Sequence, residues 1–265
     1  MKIGVVGAAG RMGQMLIKEI AATDGAQLMG AAERPGHAAL GKDAGTVAGL
    51  DANGIAIGAD AAALFKTCQA VIDFTAPAAT VLNAQLAAQH KSALVIGTTG
   101  LDKAQGAAIE AAAKTAPIVW APNMSLGVNV LFAITEQVAR MLGPDYDIEI
   151  VEMHHRHKVD APSGTALGLG QAAAKGRGVE LDKVAARGRD GITGARKRGD
   201  IGFAALRGGD VVGDHNVIFA ADGERIELGH KASGRHVFAK GAVRASMWVA
   251  GKPPGLYSMK DVLGL

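Results

Sequence analysis

A short apolar strand at residues 3–6 runs straight into Gly7-Ala8-Ala9-Gly10-Arg11-Met12-Gly13, and Met12, Met15, Leu16 and Ile20 then recur at helical spacing. Strand, glycine turn and helix in that order leave few folds open. Gly7 permits the tight turn, Gly10 lets a pyrophosphate approach the backbone, and Gly13 allows the helix to pack closely on the strand. The spacing is GxxGxxG rather than the general GxGxxG, so the surrounding order of elements carries the reading.

The next strand, residues 26–32, ends in Glu33-Arg34. An acidic side chain about 20 residues past the glycine turn is placed to hold the adenosine ribose hydroxyls, whereas Arg34 suits a 2′-phosphate. Both together point to a site that accepts NADH or NADPH. Residues 36–60 carry little signal. Apolar strands then follow at 70–75, 93–97 and 117–121, with helices over about 78–90 and 103–114 between them. Such alternation gives a parallel, doubly wound sheet of the Rossmann type, with ligands beyond the carboxyl ends of its strands. Gly97, Thr98 and Thr99 mark one such end, and Ala121, Pro122, Asn123 and Met124 another.

The pattern changes after residue 125. A helix lines Val128, Leu131, Phe132, Thr135, Val138 and Leu142 on one side. Ile148 and Ile150 then alternate with Glu149 and Val151 as a half-buried strand does. Its end carries His154, His155, Arg156, His157 and Lys158, and Pro162-Ser163-Gly164-Thr165 opens the next helix. A helix start is an anion site through its unpaired N–H groups and its dipole. Cations and a helix start at one point suit a small molecule bearing carboxylate. Metal is set aside: strand neighbours face opposite ways, so only His155 and His157 would share a side, and no further group has ligand spacing. Strands at about 201–207, 211–220 and 225–231 complete a second α+β domain whose mixed sheet has roughly four strands. The chain therefore divides into 1–125 with 235–265, a dinucleotide-binding domain, and 126–234, a substrate-binding and oligomerisation domain.

A net charge of +3 over 265 residues is small. The densest basic run, 187–198, is threaded with glycine and has no aromatic side chain to stack a base, which makes it a flexible solvated loop rather than a nucleic-acid surface. No apolar run reaches eighteen residues, so no membrane span is expected. The single cysteine, Cys68, excludes an intrachain disulfide and fits a reducing, cytoplasmic setting.

Glycine turn, Glu-Arg pair, Gly-Thr-Thr, Ala-Pro-Asn-Met and the run from Glu152 to Thr165 occur here in sequence. Together they closely resemble the dihydrodipicolinate reductase (4-hydroxy-tetrahydrodipicolinate reductase) family, in which the GxxGxxG spacing is normal. The resemblance covers essentially the whole chain. It implies a two-domain homotetramer that reduces a cyclic 4-hydroxy-dicarboxylate with NADH or NADPH, losing water, on the route to diaminopimelate and lysine. His154 matches the family's acid/base and Lys158 its proton donor. His155, Gly164 and Thr165 match substrate contacts, and Ser163 is a further donor for the two substrate carboxylates. Gly7, Ala8, Ala9, Gly10, Arg11, Met12, Glu33, Arg34, Gly97, Thr98, Thr99, Ala121, Pro122, Asn123 and Met124 match the cofactor shell. The alternative is another NAD(P)-dependent oxidoreductase acting on a small carboxylate.

Overall fold

Residues 1–265 are described by a computed structural model. In β1 (Lys2–Val6) every residue after Lys2 is buried, as in a strand covered on both faces by helices. Gly7 turns the chain at φ +67°, a region glycine enters without a Cβ penalty. Then follow α1 (Arg11–Ala22), β2 (Gln27–Ala32), α2 (Ala44–Val47), β3 (Ile57–Gly58), α3 (Ala61–Thr67) and β4 (Ala70–Asp73). The alternation goes on through α4 (Pro77–His90), β5 (Ala93–Ile96), α5 (Lys103–Ala113) and β6 (Pro117–Trp120). Local chemistry starts these helices. The Asp60 carboxylate accepts Ala62 N–H ahead of α3, Pro77 opens α4, and Asp102 with Gln105 forms a capping box on α5.

The chain continues with α6 (Leu126–Leu142), β7 (Asp147–His154), α7 (Gly164–Arg177), α8 (Leu181–Val184), β8 (Ala185–Ala186), β9 (Ile201–Arg207), β10 (Gly213–Ala221) and β11 (Glu224–Ala232). It ends with α9 (His236–Val249), β12 (Gly255–Tyr257) and α10 (Met259–Leu263). Contacts divide it into one unit of Met1–Leu126 with Arg235–Leu265 and a second of Gly127–Gly234.

The first unit holds a parallel seven-stranded sheet in the order β12-β6-β5-β4-β1-β2-β3. From β3 to β6 this is the 3-2-1-4-5-6 order of doubly wound folds, with its reversal between β1 and β4. Residues 36–60 hold α2 and β3, and the closing segment after residue 254 adds β12 beside β6. Strands of two or three residues have no period to read, so neither was visible in the sequence.

The second unit's sheet has five strands, not about four, in the order β11-β10-β7-β9-β8. The extra one is β8, two residues paired with Ile201 and Gly202. Ile148, Ile150, Ile201, Phe203, Val217 and Phe219 point inward against Leu131, Ala139, Leu169 and Ala173 of α6 and α7. The basic run is not simply solvated. Arg196 pairs with Asp147 at 2.7 Å and with Glu149 at 2.9 Å, and Arg189 also reaches Glu149 at 2.7 Å. These bonds lay the loop along the acidic start of β7.

Candidate active site

At the C-terminal edge of the first unit's sheet, backbone groups shape the turn after β1. Gly10 N–H donates to the Gly7 carbonyl at 3.0 Å, and Ala8 N–H to the Ala32 carbonyl at 3.1 Å. A Cβ on Gly13 would fall 2.2 Å from the Gly7 carbonyl oxygen, so only glycine lets α1 start this close. Gly10 brings no side chain to cap α1. The first-turn N–H groups, Arg11 and Met12 among them, are left for an anion. Glu33 accepts Ala9 N–H at 3.0 Å on one oxygen and Arg34 N–H at 3.1 Å on the other. A carboxylate has about four acceptor positions, so Glu33 fixes the turn and still has capacity for ribose hydroxyls. Arg34 stands exposed beside it. The cradle fits a dinucleotide by this chemistry.

The ends of β4, β5 and β6 lie along the same edge. Fully buried Asp73 accepts Thr75 N–H at 2.8 Å, the Thr75 hydroxyl at 2.6 Å, Asn83 Nδ2 at 2.9 Å and the Thr98 hydroxyl at 3.3 Å. Thr98, in turn, accepts the Thr80 hydroxyl at 2.8 Å. Gly97 lies against the Phe74 ring, where a Cβ would come within 2.2 Å. After β6, Ala121 N–H donates to the Ile96 carbonyl at 3.2 Å, Ser125 N–H reaches Asn123 Oδ1 at 2.8 Å, and Met124 is buried.

The second unit builds its cluster from side chains. Glu152 and His154 share the inward parity of Ile148 and Ile150 on β7. Register sets His215 of β10 opposite Glu152, and Arg207 of β9 opposite His154. Glu152 is 1% exposed and receives His154 Nδ1 at 2.5 Å, Arg207 Nη1 and Nη2 at 2.8 Å each, and Ser163 N–H at 3.0 Å. Arg207 Nη2 also donates to the Asp160 carbonyl at 2.6 Å. Ser163 caps α7 by accepting Ala166 N–H at 3.2 Å, and its hydroxyl lies 3.2 Å from His215 Nε2. The His154 and His215 rings meet edge to face, 5.1 Å between centroids.

Burial pushes the Glu152 carboxyl up, but the donors from Arg207, His154 and Ser163 outweigh it and hold the group below the usual carboxylate range. Burial pulls His154 below its ordinary value against the attraction of Glu152, with Lys158 and Arg207 adding to the fall. Burial takes His215 to about 4. Near neutral pH the cluster thus holds an anionic Glu152 and two neutral histidines.

Lys158 Nζ pairs with Asp160 Oδ1 at 2.8 Å. The loop carrying it is pinned where His155 N–H meets the Val211 carbonyl at 2.7 Å and Gly208 N–H meets the His154 carbonyl at 3.0 Å. β7 ends at His154, so His155 and His157 belong to this loop and strand parity does not apply to them. Their rings lie 6.2 Å apart, and His155 Nδ1 is buried without a partner.

The model of the dihydrodipicolinate reductase N-terminus matches residues 1–124, and that of its C-terminus matches residues 127–263. The chain belongs to the dihydrodipicolinate reductase family. It is 60% identical over 263 residues to the 4-hydroxy-tetrahydrodipicolinate reductase of Dinoroseobacter shibae, covering 99% of this chain and 98% of that one. It is 58% identical over 265 residues to the enzyme of the same name from Rhodopseudomonas palustris, covering 100% and 98%. Its fold is similar to a dipicolinate-bound dihydrodipicolinate reductase from Paenisporosarcina, with TM-score 0.78, 22% identity and 97% of each chain covered. An amine dehydrogenase from Mycobacterium smegmatis shares the fold more distantly, with TM-score 0.61, 13% identity, and 98% and 95% covered.

Within this reductase chain, the structure gathers Gly7 to Met12, Glu33, Arg34, Gly97 to Thr99 and Ala121 to Met124 along one sheet edge. It groups His154, His155, Lys158 and Ser163 to Thr165 at the end of β7 and the start of α7. Ser163 N–H ends on Glu152, and its hydroxyl accepts Ala166 N–H and lies against His215 Nε2, which leaves one of the hydroxyl's three hydrogen-bonding positions for a ligand. Gly164 is open, with nothing within 4 Å of where its Cβ would be. Sequence reasoning missed Glu152, Arg207 and His215. Their signal was parity: a polar residue where the strand's alternation calls for an apolar one.

Proposed function

We propose that the chain reduces 4-hydroxy-tetrahydrodipicolinate to tetrahydrodipicolinate with NADH or NADPH and loss of water, serving diaminopimelate and lysine synthesis, with His154 and Lys158 as its proton-handling pair. One observation carries the assignment of residues. The His-His-Arg-His-Lys stretch folds beside the start of α7, so two proton-bearing groups adjoin an anion-binding helix end.

A bound nicotinamide supplies the hydride. Around it, the N–H groups of the glycine turn and of Arg11 and Met12 would hold the pyrophosphate. Glu33 would take the ribose hydroxyls and Arg34 a 2′-phosphate, while Gly97, Thr98, Thr99, Ala121, Pro122, Asn123 and Met124 complete the shell. His155, Ser163, Gly164 and Thr165 orient the substrate carboxylates. His154 and Lys158 hold the proton that must balance the arriving hydride, and a positioned donor typically contributes ~10²–10⁴-fold in rate. His154 is neutral before substrate arrives, because burial lowers it. Two substrate carboxylates raise its proton affinity, so it charges when a donor is needed.

The same proposal includes a homotetramer and a cytoplasmic site. Leu206, half exposed, lies beside Met153 on the outer face of the second sheet, an apolar strip a second copy would cover. Cys68 is a free, buried thiol, as suits a reducing compartment. No helix is long and apolar enough to cross a membrane. The test is to follow NADH and NADPH oxidation on freshly generated cyclic substrate, with light scattering for subunit number. Turnover and a tetramer are expected; no oxidation with either cofactor would overturn the reading.

A further inference from the structure

We infer that Glu152, clamped by Arg207, is the positioning residue for His154: it holds the Nδ1 proton and leaves Nε2 as the nitrogen that meets substrate. The inference rests on the reading of His154 as the acid/base. An ionised carboxylate only accepts hydrogen bonds, so the ring nitrogen 2.5 Å from Glu152 must carry the hydrogen when the ring is neutral. The opposite nitrogen faces Gly213, where a Cβ would lie 3.0 Å from Nε2. Any side chain there would crowd the nitrogen that exchanges protons.

Arg207 completes the device. A buried carboxylate with histidine as its one partner would draw a proton onto the ring and freeze an ion pair. The two guanidinium bonds at 2.8 Å supply the countercharge instead, so the ring stays free to gain and lose its proton. The Ser163 N–H on the same carboxylate, at 3.0 Å, refers the ring and the start of α7 to one fixed group. The other titratable or charged neighbours are His215 on β10 and, in the loop after β7, Lys158 with its partner Asp160.

Histidine ¹⁵N spectra of the intact wild-type protein give the first test. Neutral His154 is expected as the Nδ1–H tautomer, and the Nε2–H tautomer would overturn the inference. Glu152→Gln should lower kcat by roughly 10–100-fold, the scale of a lost carboxylate behind a functional histidine, with the KM for NADH unchanged. It should also move the His154 limb of the pH–rate profile to lower pH. Arg207→Gln should move that limb to higher pH, because a positive neighbour is lost. Opposite displacements are outside the reach of general loosening; no displacement, or both in one direction, would sink the inference. If Arg207→Gln does not fold, the wild-type spectrum and Glu152→Gln decide. His154→Gln separates the two levels. Wild-type turnover there would remove the acid/base reading itself. An inactive His154→Gln beside a Glu152→Gln with the wild-type profile would remove only the role of Glu152.

Discussion

In the first unit, α1 starts at a turn whose donors and acceptors are nearly all backbone: Gly10 N–H to the Gly7 carbonyl, Ala8 N–H to the Ala32 carbonyl, and a Gly13 that keeps the space empty. In the second, α7 starts at Ser163, whose N–H ends on a buried carboxylate shared with His154 and Arg207. Both put a helix start at the end of a strand, where an anion can sit. They differ in what holds it there. The backbone cradle has one carboxylate, Glu33, accepting backbone N–H groups at its rim, and otherwise depends on the absence of side chains. A side-chain cluster carries charge into a place where solvent cannot screen it, so it responds to protons and tolerates little change. Under the proposed function, the first would suit a cofactor that must be held and the second a substrate that must receive a proton.

The difference is tested most severely at Arg207. Removing one partner of a buried pair leaves the other charge uncompensated, so Arg207→Ala should cost ~3–5 kcal/mol of unfolding free energy. Exposed Arg34→Ala should cost at most about 0.5 kcal/mol in the same denaturant titration. Equal costs would mean that the cluster does not hold the second unit together.

Next in size is the chemistry. His154→Ala or Lys158→Ala should lower kcat by ~10²-fold or more, about 2.7 kcal/mol in the barrier, while the Kd for NADH stays within about twofold. Steady-state kinetics with fluorescence titration of NADH checks both. Wild-type kcat in either variant would detach that residue from proton handling.

In the backbone cradle, Arg34→Ala should weaken NADPH by roughly 1.5–3 kcal/mol, the usual contribution of a hydrogen bond to a charged group, and leave NADH nearly untouched. Glu33→Ala should harm NADH more. Equal losses of both cofactors in the Arg34 variant, read by calorimetry, would end this division of labour.

The smallest effect is acid sensitivity, and it should fall on one side of the comparison. His215 stands at about 4 when folded, against an ordinary 6.5, so the unfolded chain binds the proton first and acid favours unfolding. Its contribution is complete above pH 6.5 and is lost as pH falls towards 4, roughly 2 kcal/mol between pH 7 and 5 from this residue alone. His154 and His230, lowered by burial, act in the same direction. The shifted carboxyls of the first unit, Asp43 and Asp261, are held low chiefly by backbone N–H groups, so their contribution is lost only at more acid pH. Opening free energies from hydrogen exchange at pH 7 and 5 should therefore fall for β7 and β10 and hold for β1, β4 and β5. A uniform fall would contradict the contrast.

What could be read from the chain alone was what short range decides. Gly7, Gly10 and Gly13 make their turn within seven positions, Ser163 caps its own helix, and the apolar runs at 70–73, 93–96 and 117–120 are long enough to show buried strands. That was enough to set the glycine turn at one sheet edge and to single out the His154–Lys158 stretch. Tertiary structure decided the rest. β3, β8 and β12 are two or three residues long and exist because a neighbouring edge offers hydrogen bonds, which no local pattern records. Glu152 and Arg207 lie 55 positions apart, and Ser163 and His215 lie 52 apart. Each alone reads as an ordinary polar residue near a strand or helix end. Only strand register brings them together, and only burial turns that meeting into a shared charge with one fixed proton. The His154–Lys158 stretch was thus local information, while what holds His154 in place came from the sheet.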